Sequence, residues 1–280
     1  MLVPMGELLQ DGLQRKYAVG AFDIPNLETA ESVLAAAVEN SSPVIVAIAE
    51  GFFPQNSFET LMNCLKEQAT PLSIPVALIL DHGRSYESCI RALRAGVTSV
   101  MFDGSALPYE KNVAITRDVV KAAHAVGVTA EAEIGHVGQG AEYEKTEEAL
   151  TRPDEALRFV QETGVDALAV AVGTAHGKYK GEPKIHYDLL ATIADTVKLP
   201  LVLHGGSSTG DERLQRSIAY GVAKINIYTD MADEAKKRVK RILDEKYDKI
   251  RLNDMIMETR GAFKDVSTHY MQLFGSAGKA

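Results

Sequence analysis

Three of the seven histidines, His82, His176 and His204, each lie just beyond a separate short apolar run (VALIL, ALAVAV and LPLVL). Neutral imidazoles brought from three strands to one point make a coordination site for a divalent cation, most naturally Zn²⁺, with a position left open for substrate. A single histidine in such a place is more often a hydrogen-bonded structural group, but three at matching strand ends favour the metal. His124, His186 and His269 fall in or beside helical patterns, and His136 lies in a loop. Asp81 adjoins His82 in the phrase LILDHG. Two roles are open to it: general acid/base beside a bound substrate, or orientation of an imidazole. Other strand ends carry Asp23 and Asn26, Glu50, Asp103, Glu131 and Glu133, and Asn226.

Two further segments suit an anion. LHGGSSTG places Gly205, Gly206 and Ser207 after an apolar run and before a helical pattern. Glycines let backbone N–H groups approach a phosphate, and a helix N-terminus favours negative charge. KINIYTD, with Asn226 and Thr229, opens the next helix in the same way. Plain helix capping by Ser207, Ser208 or Thr229 is the competing explanation.

These residues need a scaffold that gathers many strand ends. Strands are expected at Tyr17–Asp23, Pro43–Ala49, Val76–Leu80, Ser99–Asp103, Thr129–Glu133, Ala167–Ala171, Leu201–Leu203 and Ala223–Ile227. Helical patterns intervene at Leu27–Asn40, Tyr86–Ala95, Glu110–Ala125, Asp154–Thr163, Tyr187–Thr196 and Asp211–Tyr220. Continuous apolar strands fit a parallel sheet buried on both faces. Gly96, Gly127, Gly164 and Gly221 each fall between a helical pattern and a strand, where a left-handed cap is wanted. Eight such units predict an α/β fold, a (β/α)8 TIM barrel, over an open doubly wound sheet. Residues 1–280 read as one barrel domain, with extra C-terminal helices over Asp230–Asp248 and Asp254–Phe274. The polar, glycine-containing stretch Gly135–Arg152 reads either as a mobile lid over the site or as a disordered insertion.

A net charge of -8 argues against nucleic-acid binding, which needs basic surface. Cys64 and Cys89 show neither a disulfide framework nor metal-ligand spacing. No signal peptide and no apolar run of bilayer length is evident, so a cytoplasmic protein without membrane association is expected.

The phrases LDHG, VMFDGSALPYEKN, AEAEIGHVGQ, AVGTAHGKYKGEP, LVLHGGS, KINIYTD and FGSAGKA together resemble the class II fructose- and tagatose-bisphosphate aldolases. The likeness runs in the family's order from AFDIPN to the last residue. It implies zinc-dependent, reversible aldol cleavage of a phosphorylated ketose to dihydroxyacetone phosphate and an aldehyde. By this resemblance Asp81 is the acid/base, and His82, His176 and His204 hold Zn²⁺. Gly177, Gly205, Ser207, Asn226 and Thr229 bind phosphate, while Asp103 and Glu133 match a second metal position. A monovalent cation (Na⁺ or K⁺) near the phosphate and a homo-oligomer, dimer or tetramer, are also implied. No Schiff-base lysine is required; Lys180 reads as a loop charge and Lys224 as strand-flanking.

The substrate rim departs from the family. Asp23 stands where an asparagine is usual, Ala49 where a small polar residue is, and Tyr228 where Asp or Ala is. Ser208-Thr209 replaces Gly-Ile or Gly-Leu. Asp23, Asn26 and Tyr228 are therefore candidate specificity residues, and the preferred ketose is expected to differ from fructose 1,6-bisphosphate. A barrel metallohydrolase and a sugar-phosphate-binding barrel without turnover are the alternative functions.

Overall fold

The computed structural model describes residues 1–53, 57–138, 150–179 and 181–280. Eight parallel strands close into a barrel in chain order, with β8 hydrogen-bonded back to β1. They are β1 (Val19–Asp23), β2 (Val44–Ala49), β3 (Val76–Gly83), β4 (Ser99–Phe102), β5 (Thr129–Ile134), β6 (Ala167–Val170), β7 (Leu201–Leu203) and β8 (Val222–Ile227). The helices are α1 (Met5–Arg15), α2 (Leu27–Glu39), α3 (Phe58–Ala69), α4 (Tyr86–Ala95), α5 (Tyr109–Ala125), α6 (Pro153–Thr163), α7 (Tyr187–Val197), α8 (Asp211–Ala219), α9 (Thr229–Lys246) and α10 (Leu252–Leu273). The (β/α)8 expectation holds, and the expected strands lie within a few residues of the observed ones. The helices α1 and α3 are additions to the sequence reading.

Alternation along each strand builds two cores. Outward side chains such as Phe22, Val46, Leu78, Phe102 and Leu168 pack under the helices. Inward positions are mostly small: Ala21, Ala47, Ala77, Ala167 and Ala169 belong to the interior cluster. Its lower end is filled by Met5, Leu8 and Leu9 of α1. Two interior hydroxyls take the N–H groups that open α1, which have no partner within the helix. Met5 N–H donates to Ser99 Oγ at 3.0 Å and Gly6 N–H to Thr129 Oγ1 at 2.9 Å. With one end plugged, chemistry is confined to the carboxyl ends of the strands.

The glycine stops behave as the sequence suggests: Gly96, Gly127, Gly164 and Gly221 all have positive φ, between 72° and 101°. The FGSAGKA tail is structural. Gly278 and Ala280 donate to the carbonyls of Asn40 and Ser41, each at 2.9 Å, tying the end of the chain to the α2–β2 turn. Among the described residues no helix is long and apolar enough to cross a membrane. Residues 139–149 of the expected lid or insertion, and Lys180, lie outside the described residues.

Candidate active site

Asp81 and His82 are consecutive residues of β3, and strand alternation should send them to opposite faces. They share a face because His82 has a left-handed backbone, φ 48°, where the β3–β4 register is irregular between Leu80 and Gly83. Positive φ is unusual outside glycine and collects at functional sites. Here it turns the imidazole back over the barrel mouth, with His82 Nε2 3.6 Å from Asp81 Oδ2.

The three imidazoles converge. Ring centroids are 4.5 Å apart for His82–His204, 4.9 Å for His82–His176 and 5.8 Å for His176–His204. Each contributes one nitrogen to a set lying within 4.8 Å of one another. The remaining nitrogens of two rings are held from behind. His82 Nδ1 pairs with Asp103 Oδ2 at 2.8 Å, and His204 Nε2 with Glu131 Oε1 at 3.0 Å. The nitrogens left over, His82 Nε2 and His204 Nδ1, are buried and without a hydrogen-bond partner. Buried polar atoms are rarely left unpaired, so this donor set fits a divalent cation, with carboxylates fixing the rings. Burial and the charge of His82 push His176 down to about 4 and His204 well below its usual value, keeping both neutral. Burial opposes protonation of His82, but Asp81, Asp103 and Glu133 outweigh it and carry it to about 10.

His82, Asp103 and Glu133 form a second group of possible ligands. Asp103 also accepts Ser105 N–H at 3.1 Å and Ser105 Oγ–H at 2.7 Å. Glu133 accepts Val137 N–H at 3.1 Å through Oε1, leaving buried Oε2 unpartnered. Burial and the Asp103 charge raise Glu133 to about 8.

Lys224 corrects the sequence reading. It does not flank β8 but projects from it into the sealed interior, fully buried, 2.7 Å from Glu131 Oε2 and 3.9 Å from Asp81 Oδ1. Small residues on neighbouring strands leave the room for this pair beneath the imidazoles. Asp81 Oδ1 also accepts Asn226 Nδ2–H at 3.0 Å. Burial would raise Asp81, but His82, His204 and Lys224 together hold it below the usual carboxylate range. Removing one partner of a buried ion pair leaves an uncompensated charge, at a cost of about 3–5 kcal/mol. Lys224→Met is accordingly expected to lower the unfolding free energy from urea titration by that amount, seen as a lower midpoint. Adding Glu131→Gln should restore most of it; an unchanged midpoint in the single variant would show the pair contributes nothing.

A cavity of about 270 Å³ opens beside these groups, lined by Asp23, Asp81, His82, His176, Asn226 and residues that follow β2, β6, β7 and β8. On one side lie Gly177, Gly205, Ser207 and Thr229. Gly205 has φ 69°, and a Cβ there would sit 2.3 Å from the Ala175 carbonyl oxygen, so only glycine fits. Ser207 Oγ accepts the N–H groups of Tyr228 and Asp230 at 3.3 Å each, linking the β7 loop to the start of α9. Gly206, grouped with the anion seat in the sequence, is not among the lining residues. Its N–H is used on the Asn226 carbonyl at 3.2 Å, and its bare Cα admits Ile225.

Asn26 likewise leaves the site: it is the N-cap of α2, its Oδ1 accepting Thr29 N–H at 3.0 Å. Asp23 and Tyr228 stay at the cavity. Burial and the Asp81 charge hold Asp23 well above the usual carboxylate range, and its Oδ1 is buried without a partner.

The sequence profile of the class II fructose-bisphosphate aldolases matches residues 3–279. The chain belongs to that family. It is 43% identical over 284 aligned residues to a fructose-bisphosphate aldolase of Geobacillus stearothermophilus, covering 100% of this chain and 99% of that one. A probable fructose-bisphosphate aldolase of Bacillus subtilis is 40% identical with the same coverage. Among solved structures it resembles the YdjI aldolase of Escherichia coli K12, with a TM-score of 0.90, 36% identity and full coverage of both chains. Membership makes the protein a metal-dependent aldolase of phosphorylated sugars. It also sets aside the barrel metallohydrolase.

What the sequence left unseen in this aldolase is mainly the layer beneath the imidazoles. Glu131 was visible as a strand-end acid, but not its pairing with Lys224. Alternate positions of β5 carry Thr129, Glu131 and Glu133, a polar stripe facing the interior, and this was the available signal. Phe52, from the 3-10 turn Glu50–Phe52, joins the cavity wall 5.1 Å from the Tyr228 ring. Tyr179 Oη, accepting Ala175 N–H at 2.8 Å and lying 3.1 Å from the Gly205 carbonyl, ties two of the loops together.

Proposed function

We propose that this aldolase reversibly cleaves a phosphorylated ketose to dihydroxyacetone phosphate and an aldehyde, with Zn²⁺ on His82, His176 and His204 and Asp81 as acid/base. The observation that carries this reading is the pair of unpartnered imidazole nitrogens beside an anionic Asp81, at a cavity with a glycine-rich side. The cation, when bound, supplies Lewis acidity at the ketose oxygen. Asp81 accepts the proton of the hydroxyl that becomes the aldehyde. Asn226 orients that carboxylate through its amide N–H. Gly177, Gly205, Ser207, Asn226 and Thr229 hold the phosphate half of the substrate, using backbone N–H groups and the N-terminus of α9. A monovalent cation near this seat, and Asp103 with Glu133 as a second metal position, belong to the same reading. So do residues 1–280 as one domain, a homo-oligomer (dimer or tetramer) and a cytoplasmic setting, with free thiols at Cys64 and Cys89.

Incubating the zinc-loaded protein with ketose mono- and bisphosphates of either C4 configuration is expected to release triose phosphate, measured by coupled reduction. Zinc retention with no release from any ketose phosphate would make it the binding barrel without turnover.

A further inference from the structure

The two halves of an aldol substrate lie over different arcs of this barrel mouth. The phosphate side is built from the ends of β6, β7 and β8. Asp81 ends β3, and the hydroxyl it deprotonates belongs to the aldehyde half. Ala49 on β2 is the register partner of Asp81, and Asp23 on β1 is close enough for the two carboxyls to interact. The aldehyde half therefore extends over Ala49 and Asp23, against the ring pair Phe52–Tyr228, whose centroids are 5.1 Å apart at 56°.

Among the described residues nothing in this wall suits a phosphate. Ala49 offers a methyl group. Aromatic faces carry the negative side of a quadrupole. An ionised Asp23 would repel a dianion, and a neutral one lends a single O–H. Among the described residues that line the cavity there is no lysine or arginine. The same wall suits a polyol: buried Asp23 Oδ1 is without a partner, and rings accept C–H faces.

We infer that the substrate carries one phosphate only, on the triose half, and that the aldehyde partner is an uncharged hydroxyaldehyde held by Asp23, Phe52 and Tyr228. This rests on the aldol reading above. In cleavage the C3–C4 bond breaks and the C4 hydroxyl gives its proton to Asp81, becoming the aldehyde. The electron pair left on C3 takes a solvent proton, giving dihydroxyacetone phosphate.

The test uses zinc-loaded protein and compares kcat/KM for fructose and tagatose 1-phosphates with their 1,6-bisphosphates. Condensation of dihydroxyacetone phosphate with glyceraldehyde and with glyceraldehyde 3-phosphate is measured in parallel. The expected result is a preference of at least about tenfold for the singly phosphorylated ketose and the uncharged aldehyde. Asp23→Asn should narrow that ratio while zinc content stays unchanged. A wild-type preference for the bisphosphates overturns the inference and leaves aldol chemistry standing. No cleavage of any ketose, together with no solvent-deuterium exchange into dihydroxyacetone phosphate, overturns the aldol reading itself.

Discussion

Stripping the metal with a chelator is expected to abolish carbon–carbon cleavage, and re-adding Zn²⁺ to restore it. The loss should be on the order of a thousandfold or more, since Lewis-acid stabilisation contributes several kcal/mol to the barrel's transition state. The expectation comes from geometry. Asp103 and Glu131 occupy the rear nitrogens of His82 and His204, so the front nitrogens have no protein partner and point with His176 at one place. His82→Ala removes one of three ligands together with the Asp103 contact, and should lose metal and activity alike. His186→Ala is the control, because His186 sits at the N-terminus of α7 outside the cavity. Metal content by atomic spectroscopy and turnover should fall together in the first variant and in neither measure in the second. Full activity in metal-free protein would remove the three histidines from the mechanism.

Asp81→Asn is expected to keep the metal and lower kcat by about two to four orders of magnitude, the range for a positioned acid/base. The amide preserves shape and can still accept the Asn226 N–H, so the three imidazoles keep their positions. What it loses is the basic oxygen. That oxygen is available in the wild type because His82, His204 and Lys224 hold the carboxyl below its usual range despite burial. Zinc stoichiometry separates the two roles left open by sequence. Loss of metal would show that Asp81 serves to orient His82, 3.6 Å away. Near-normal kcat with metal retained would remove it from the chemistry altogether.

By itself the sequence determined the barrel and the gathering of polar groups at its mouth. Both follow from local rules: apolar runs of strand length, 3.6-residue helical patterns, and glycines that stop each helix before the next strand. His176 and His204 follow their strands directly, so their strand-end placement was legible as well. The tertiary structure decided which neighbours cooperate. Alternation along β3 would separate Asp81 from His82, and only the left-handed turn at the β3–β4 irregularity reunites them. Asn26 and Gly206 look like their cavity neighbours in sequence, yet one caps α2 and the other packs against β8. Lys224 looked like a flanking charge because its partner, Glu131, is 93 residues away. A lysine in a strand is costly unless a counter-charge meets it inside, and barrel closure alone brings β5 and β8 across from each other.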